Sequence, residues 1–466
     1  MHCRLTAEKV ESITATVMAS VERLVAHLVA HIEEAGPTLE GLERAVLEEL
    51  HAVGNVTLGA LCDALTPQYA PATSVCACGE EAAYQRRRWA QCKTLLGTIH
   101  TRRPYYLCAT CHHGHYPLDK ELGLCAGGVS AGLEALMALL GAEFSFDHAA
   151  GMVAKLSLVQ VSATRCREAT VALGEWVAEK EEEERQAVWE QGHEPPPPAP
   201  EQVGDPLYVS ADGVIIHTRE SGWREQCVGA VYTTTAIPHP LSHRRPAQAE
   251  RSASESAILR SQGTSFVSEL GSRPDFSQLL WLEAHRRGLE QARRMVFIGD
   301  GAHWLWETAH DLFPQAIQIL DWYHASSYIW KTAQALYPDR EPEKKEWADP
   351  HLAALWQSRT AEVIAHLAPL TEGCSAARDA YNYFTFNQSR MDYKHYRSLG
   401  LQVGSGTIES ACKHVVQARI KQAGMRWNVH NARVMGKLRA RLRSNRWDET
   451  LALRPLPSRS YHRNSP

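Results

Sequence analysis

The sequence has no uninterrupted apolar run approaching the roughly 20 residues that span a bilayer. No membrane partner is therefore expected. The opening stretch, MHCRLTAEKVESITATVMAS, carries acids and lacks the apolar core of a secretory signal, so a cytoplasmic location is expected. Residues 330–400 lack any strand signal. Acids are scarce from Lys394 onward: Glu409, Asp448 and Glu449 stand against 15 Lys/Arg. A basic C-terminal region in a chain of net charge −4 points to a polyanion partner, or to a basic helix packed on acidic neighbours. With 44% hydrophobic and 22% charged residues, the composition is that of a globular protein rather than a disordered one. The length predicts several domains.

Twelve cysteines in a reducing compartment exclude a disulfide framework, and their clustering points to metal instead. Within residues 74–125, Cys76-x-Cys78 and Cys108-x-x-Cys111 flank a basic, β-prone stretch. Four thiolates at the corners of a tetrahedron suit a structural zinc ion, which stands in for a core too small to hold itself together. The first knuckle is one residue tighter than the usual spacing, so Cys92 or His112 is an alternative ligand. Arg86, Arg87, Arg88, Arg102 and Arg103 interleave with Trp89, Tyr105 and Tyr106, a composition suited to a nucleic-acid surface.

On either side of this unit the pattern is helical. In residues 1–70, Val17, Val21, Leu24 and Leu28 alternate steps of four and three, a short seam that predicts a packed helical hairpin or, as the alternative, pairing between chains. Residues 126–180 predict a helix, a break at Val159-Gln160-Val161, and a second helix capped by Ser162. That is a helix-turn-helix-like pattern, shared with ordinary helical hairpins, in which Arg165 would face DNA. The charged and Pro-rich stretch 181–203 reads as a linker, because a proline run is stiff and cannot join a sheet. An α/β region follows, residues 204–330, then a helical segment, 331–400, a stretch with a basic helix, 401–450, and a tail, 451–466.

Carboxylates recur where strands are predicted to end. Asp212 follows LYVS, Asp300 follows VFIG, and Asp321 follows IQIL. Asp-Gly is common turn chemistry and Asp is a good helix cap, so each alone is weak. Together with Glu409, near the start of a helix past Gly404-Ser405-Gly406, they form a constellation. Hard carboxylate oxygens on separate elements suit Mg²⁺ or Mn²⁺ rather than zinc. His324, about one helical turn from Asp321, reads as a group that orients it. Arg419, Lys421 and Arg426 lie beyond Glu409 and read as phosphate contacts or as a solvated helix.

The stretches CACG…YYLCATCHHGHYPLD, YVSADG…GWREQCVGAVY, FIGDGAHWLWE, ILDWYHA and VGSGTIESACKHVVQARIKQAGMRW together resemble a bacterial insertion-sequence DDE transposase of the ISKra family, related to Mutator-like transposases. The resemblance implies a multidomain α+β chain with an RNase H-like catalytic domain interrupted by an all-helical insertion. It implies Asp212, Asp300 and Glu409 as ligands for Mg²⁺ or Mn²⁺. Asp321 and His324 would be the family's Asp-x-x-His signature, and Trp322 or a nearby aromatic would steady a flipped base. It further implies metal-dependent cleavage and strand transfer on double-stranded DNA, at the element's terminal repeats and at a target. The protein would act as a homo-oligomer at the bacterial nucleoid. Two rivals share these features: a structure-selective nuclease of the same fold, and a DNA-binding protein whose catalytic site has decayed.

Overall fold

The computed structural model describes residues 5–36, 38–66, 71–125, 128–198, 205–238 and 257–454. The chain is α+β and divides into two compact units. The first holds the described residues up to Leu173 and from Leu451 onward; the second runs from Gly174 to Thr450.

The first unit opens with a helical hairpin, α1 (Ala7–Ala35) and α2 (Leu39–Leu65). Thr6 and Thr38 cap the two helices, each accepting from a backbone N–H three residues on. Val17, Val21, Leu24 and Leu28 are half-buried along α1, as the predicted seam requires, and the two helices pack together. Ala7–Glu34 is 28 residues long and apolar enough, by length and composition, to cross a membrane. The acids that interrupt it are confined to its ends and to Glu22.

A mainly antiparallel sheet follows. Its strands are β1 (Thr73–Val75), β2 (Glu81–Thr94), β3 (Gly97–Cys108) and β4 (Gly114–His115). After the short helix α3 (Pro117–Glu121) come β5 (Leu124–Cys125) and β6 (Val129–Ser130). The order is β4-β3-β2-β6-β5, with β1 paired to β2. Helices α4 (Ala131–Glu143), α5 (Phe146–Ser157) and α6 (Ala163–Trp189) come next. Ser162 caps α6 as predicted, accepting from the Arg165 N–H at 3.3 Å.

The sequence places a linker at 181–203, but α6 continues to Trp189 and the two units divide earlier, between Leu173 and Gly174. The physical reason is electrostatic. Acids of the supposed linker are held by cations of the second unit: Glu181 by Lys437 and Arg441, Glu184 by Arg286.

The second unit is built on five strands: β7 (Leu207–Thr218), β8 (Gly222–Pro238), β9 (Ala257–Leu270), β10 (Met295–Gly299) and β11 (Ile317–Leu320). Their order is β11-β10-β7-β8-β9. The pairs β7–β8 and β8–β9 are antiparallel; β7–β10 and β10–β11 are parallel. Every residue of β10 is buried, as its unbroken apolar run predicts. Helix α7 (Arg273–Arg286) links β9 to β10, and α8 (His303–Leu312) links β10 to β11.

After β11 the described chain has no further named strand. It forms α9 (Trp322–Leu336), α10 (Glu341–Trp356), α11 (Thr360–Leu367), α12 (Ser375–Asn387) and α13 (Tyr393–Ser398). Then come α14 (Gly406–Ala411), a π turn at Cys412–Gln417, α15 (Ala418–Ile420), α16 (Val429–Arg443) and α17 (Trp447–Ala452).

The basic residues of α16 are largely internal. Lys437, 1% exposed, reaches Glu181 at 2.9 Å and Glu269 at 2.8 Å. Arg433 pairs with Glu269 at 2.5 Å, and the fully buried Arg439 donates to the backbone carbonyls of His414 and Val415. Of the two readings of this stretch, packing on acidic neighbours accounts for these residues.

Candidate metal centres

In the first unit, both knuckles converge. The sulfurs of Cys76, Cys78, Cys108 and Cys111 all lie within 4.8 Å of one another. Cys76 is 3.4 Å from Cys111, and Cys78 is 3.7 Å from Cys108. A tetrahedron with Zn–S bonds of about 2.3 Å has S–S edges of roughly 3.8 Å, so the cluster could hold zinc with little rearrangement. Gly79, at φ +90°, lets the short first knuckle turn back so that its N–H donates to the Cys76 carbonyl. The backbone N–H of Cys111 helps pull the Cys108 thiol down to about 6, while burial and the neighbouring sulfurs push Cys111 up to about 12. Cys92 is not part of this cluster. It packs with Cys62 and Ile99 in a separate apolar cluster. His112 does not join the ligand group either. The apolar core beside the cluster is small: Cys76, Ala82, Tyr106 and Cys108.

In the second unit, register brings the acids to one level. Ile298 pairs with Ser210 across β10 and β7, so Asp300 and Asp212, each two residues on, lie side by side. Gly299 pairs with Leu320 across β10 and β11, which puts Asp321 next to Asp300. Asp212 follows the run LYVS but does not end its strand: within the stretch DPLYVSADGVIIHTR, which reads as one strand, β7 continues to Thr218 and Asp212 is internal to it, opposite Val228. The continuation is held by β8, whose pairing runs on to Gly222.

Each carboxylate has a distinct environment. The Asp212 carboxyl is raised, first by desolvation and then by repulsion from Asp300. Its Oδ1 accepts from the Gly213 N–H at 2.6 Å, and its Oδ2 from the Cys412 thiol at 3.6 Å. Burial pushes that thiol up, so it stays a donor. Asp300 Oδ1 accepts from the Ala302 N–H at 2.9 Å. The Asp300 carbonyl accepts from the Tyr383 hydroxyl at 2.5 Å, and Tyr383 stacks on Tyr328 with centroids 4.0 Å apart. Gly301, at φ +100°, is obligatory here: an added Cβ would lie 2.6 Å from the Tyr383 ring.

Asp321 is wholly buried and its oxygens are engaged within the protein. Its Oδ1 accepts from the Ser405 N–H at 2.6 Å. Its Oδ2 accepts from the His324 N–H at 2.8 Å and lies 2.7 Å from His324 Nδ1. It caps α9 and ties it to the loop before α14. The hydrogen bond to Asp321 raises His324, opposed by desolvation and helped by the charges of Asp321, Asp300 and Asp212. Glu409 is exposed on α14, with Oε1 3.2 Å from the Ser405 hydroxyl. Ligand atoms of Asp321, His324 and Glu409 lie within 4.8 Å of one another; Asp212 and Asp300 are not in that group. The link from Glu409 to Asp212 runs through Cys412, three residues farther along the chain. Sequence reasoning passes over Cys412 and Tyr383, and no signal short of the fold marks either.

The predicted phosphate contacts separate. Lys421 and Arg426 are exposed. Arg419 is 1% exposed, with its guanidinium 4.9 Å from the centre of the Trp427 ring and 3.5 Å from the Met425 sulfur. It is a packing residue and cannot reach a phosphate. Arg165 is half-buried and ion-paired with Glu168 at 2.8 Å. Trp322 packs edge-on against Trp356 and Tyr393, whereas Tyr323 beside it is 61% exposed. Compared with models of known protein families and with curated proteins, the chain matches none.

Proposed function

We propose that this protein is a DDE-type transposase of the ISKra kind, transferring phosphoryl groups on DNA with a divalent metal. The observation that carries the reading is the register match that sets Asp212 on β7 beside Asp300 just past the parallel β10, with Glu409 on α14 and Cys412, in the turn that follows it, donating to Asp212. The strand order, three antiparallel strands extended by two parallel ones, supports an RNase H-like core. The helices from α10 to α13 are in keeping with an all-helical insertion.

The donor set fits a hard cation. Asp212 and Asp300 repel each other at a desolvated site, and a cation between them removes that cost. Asp212, Asp300 and Glu409 would hold Mg²⁺ or Mn²⁺, which when bound lowers the pKa of an attacking water or hydroxyl and stabilises the leaving oxygen. Asp321 and His324 are positioning residues: they fix the start of α9 against the Ser405 loop that precedes Glu409. Tyr383 fixes the backbone of Asp300 in the same sense. On this reading the partner is double-stranded DNA, both terminal repeats and target, engaged by more than one copy of the chain.

Mn²⁺ binding by the zinc-loaded full chain, followed by electron paramagnetic resonance, tests the site. Asp212→Asn or Asp300→Asn is expected to weaken binding by roughly tenfold or more, about 1.4 kcal/mol. Equal Mn²⁺ affinity in wild type and Asp300→Asn would remove the site from the account.

A further inference from the structure

The charge on the C-terminal helix is largely neutralised inside the protein, but another basic surface is not. Residues 82–118 contain no Asp or Glu, yet carry six Lys/Arg. Most of this stretch is the β2–β3 hairpin. Trp89 pairs with Arg102, Gln91 with His100, and Arg87 with Pro104. The pleat sorts most of the residues, although Pro104, opposite Arg87, is buried. Cys92, Thr94, Ile99, Thr101 and Arg103 are buried on one face. That face packs on α2, where Asp63 accepts from the Thr101 hydroxyl at 3.0 Å. Arg87, Trp89, Gln91, His100 and Arg102 are exposed on the other. Trp89 is 63% exposed, and the Arg102 guanidinium lies 4.4 Å from the centre of its ring. Among the described residues, neither the Arg87 nor the Arg102 guanidinium has a carboxylate partner, although the Arg102 backbone N–H donates to Asp63 Oδ1 at 3.4 Å.

A large aromatic left in water beside unpaired guanidinium groups is unusual for a surface with no partner. We propose that this face of the β2–β3 ribbon docks duplex DNA, with Arg87 and Arg102 on phosphates and Trp89 against the groove wall. The inference deepens the DNA reading above and rests on it only for the identity of the polyanion. Shape agrees with charge: a two-stranded ribbon enters the major groove, and the strand from Arg87 to Lys93 spans roughly 20 Å. The surface differs from a helix-based one because its cations are fixed by strand pairing. Arg102 is further pre-oriented by the indole beneath it.

The test uses the full chain with zinc, no added Mg²⁺ or Mn²⁺, and a labelled random-sequence duplex. Anisotropy is followed between 50 and about 200 mM salt. The double variant Arg87→Gln/Arg102→Gln is expected to reduce the log–log salt slope by roughly two units, near 0.9 per lost phosphate contact. Trp89→Ala should leave the slope and weaken binding by on the order of tenfold. Unchanged zinc content and melting midpoint would show that the variants fold; Arg102→Lys, which keeps the charge, should restore most of the slope. An unchanged slope in the double variant overturns the proposal. So does tighter binding of a single strand of equal length that is lost in Trp89→Ala, which would assign the face to unpaired bases. Inability of wild type to cleave, with ribbon-dependent binding intact, would refute the proposed function and leave this surface standing.

Discussion

Replacing Lys437 by Met separates an internal role for the basic C-terminal helix from an external one. The ammonium group is 1% exposed and lies between Glu181 and Glu269. Methionine fills nearly the same volume, so the main change is loss of charge. Removing one partner of a buried ion pair costs about 3–5 kcal/mol, because the other charge stays desolvated. Glu269 keeps Arg433 and Glu181 keeps Arg441, which places the expected loss near the lower end, about 3 kcal/mol. Native-state hydrogen exchange of the α16 amides reads this loss within the second unit. Glu181→Gln combined with Lys437→Met should cost less than the sum of the two changes, since they share one interaction. The pH dependence follows from the carboxylates. Burial alone would raise Glu181 and Glu283, but Lys437 and Arg441 hold Glu181 below its usual range, as Arg286 and Arg446 hold Glu283. Their contribution is therefore complete above the ordinary carboxylate range and is lost as pH falls through the depressed values. A loss below about 1 kcal/mol in Lys437→Met would mean these charges are hydrated and the helix is open to a polyanion.

Loss of zinc should unfold the cysteine unit, because a metal of this kind supplies roughly 10 kcal/mol or more to folding. Elemental analysis should find one zinc per chain in wild type and none in Cys108→Ser/Cys111→Ser; a zinc-free wild type that keeps its β signal refutes the assignment. Tyr383→Phe removes the hydroxyl held by the Asp300 carbonyl while keeping the ring stacked on Tyr328. Mn²⁺ affinity is expected to fall by roughly threefold to tenfold, the scale of one lost hydrogen bond, with duplex affinity unchanged. An unaltered Mn²⁺ affinity would show that the Asp300 loop holds itself.

The sequence made β7, β8, β10 and β11 legible, because their apolar patterns are short, bounded and strong. It did not reveal β9, whose Arg260, Gln262 and Ser265 dilute its apolar residues and which gains its place only by pairing with β8. The cysteine cluster could be read only in part from spacing: Cys108-x-x-Cys111 has the usual interval, whereas the tighter Cys76-x-Cys78 left Cys92 or His112 open until the fold brought the four sulfurs together. Asp212 reads as a strand end for a local reason: Asp212-Gly213 carries turn chemistry, yet β8 holds the strand on through to Thr218. The basic tail was misleading for the opposite reason. Arg419, Lys437 and Arg439 look solvated in one dimension, and only the fold supplies their carboxylates, carbonyls and rings. Tyr383 lies 83 residues from Asp300, and no periodicity connects them.

The most direct test of the central claim is strand cleavage and joining by the full chain with Mg²⁺ or Mn²⁺, on DNA carrying the element's own ends. The substrate is the sequence flanking the reading frame. Wild type is expected to cut and join. Asp212→Ala, Asp300→Ala and Glu409→Ala should each abolish both steps while retaining duplex binding, and their losses should not add, because the three act as one unit. Asp321→Ala should leave partial activity, as suits a positioning residue. Joining by Asp300→Ala at the wild-type rate would contradict the account.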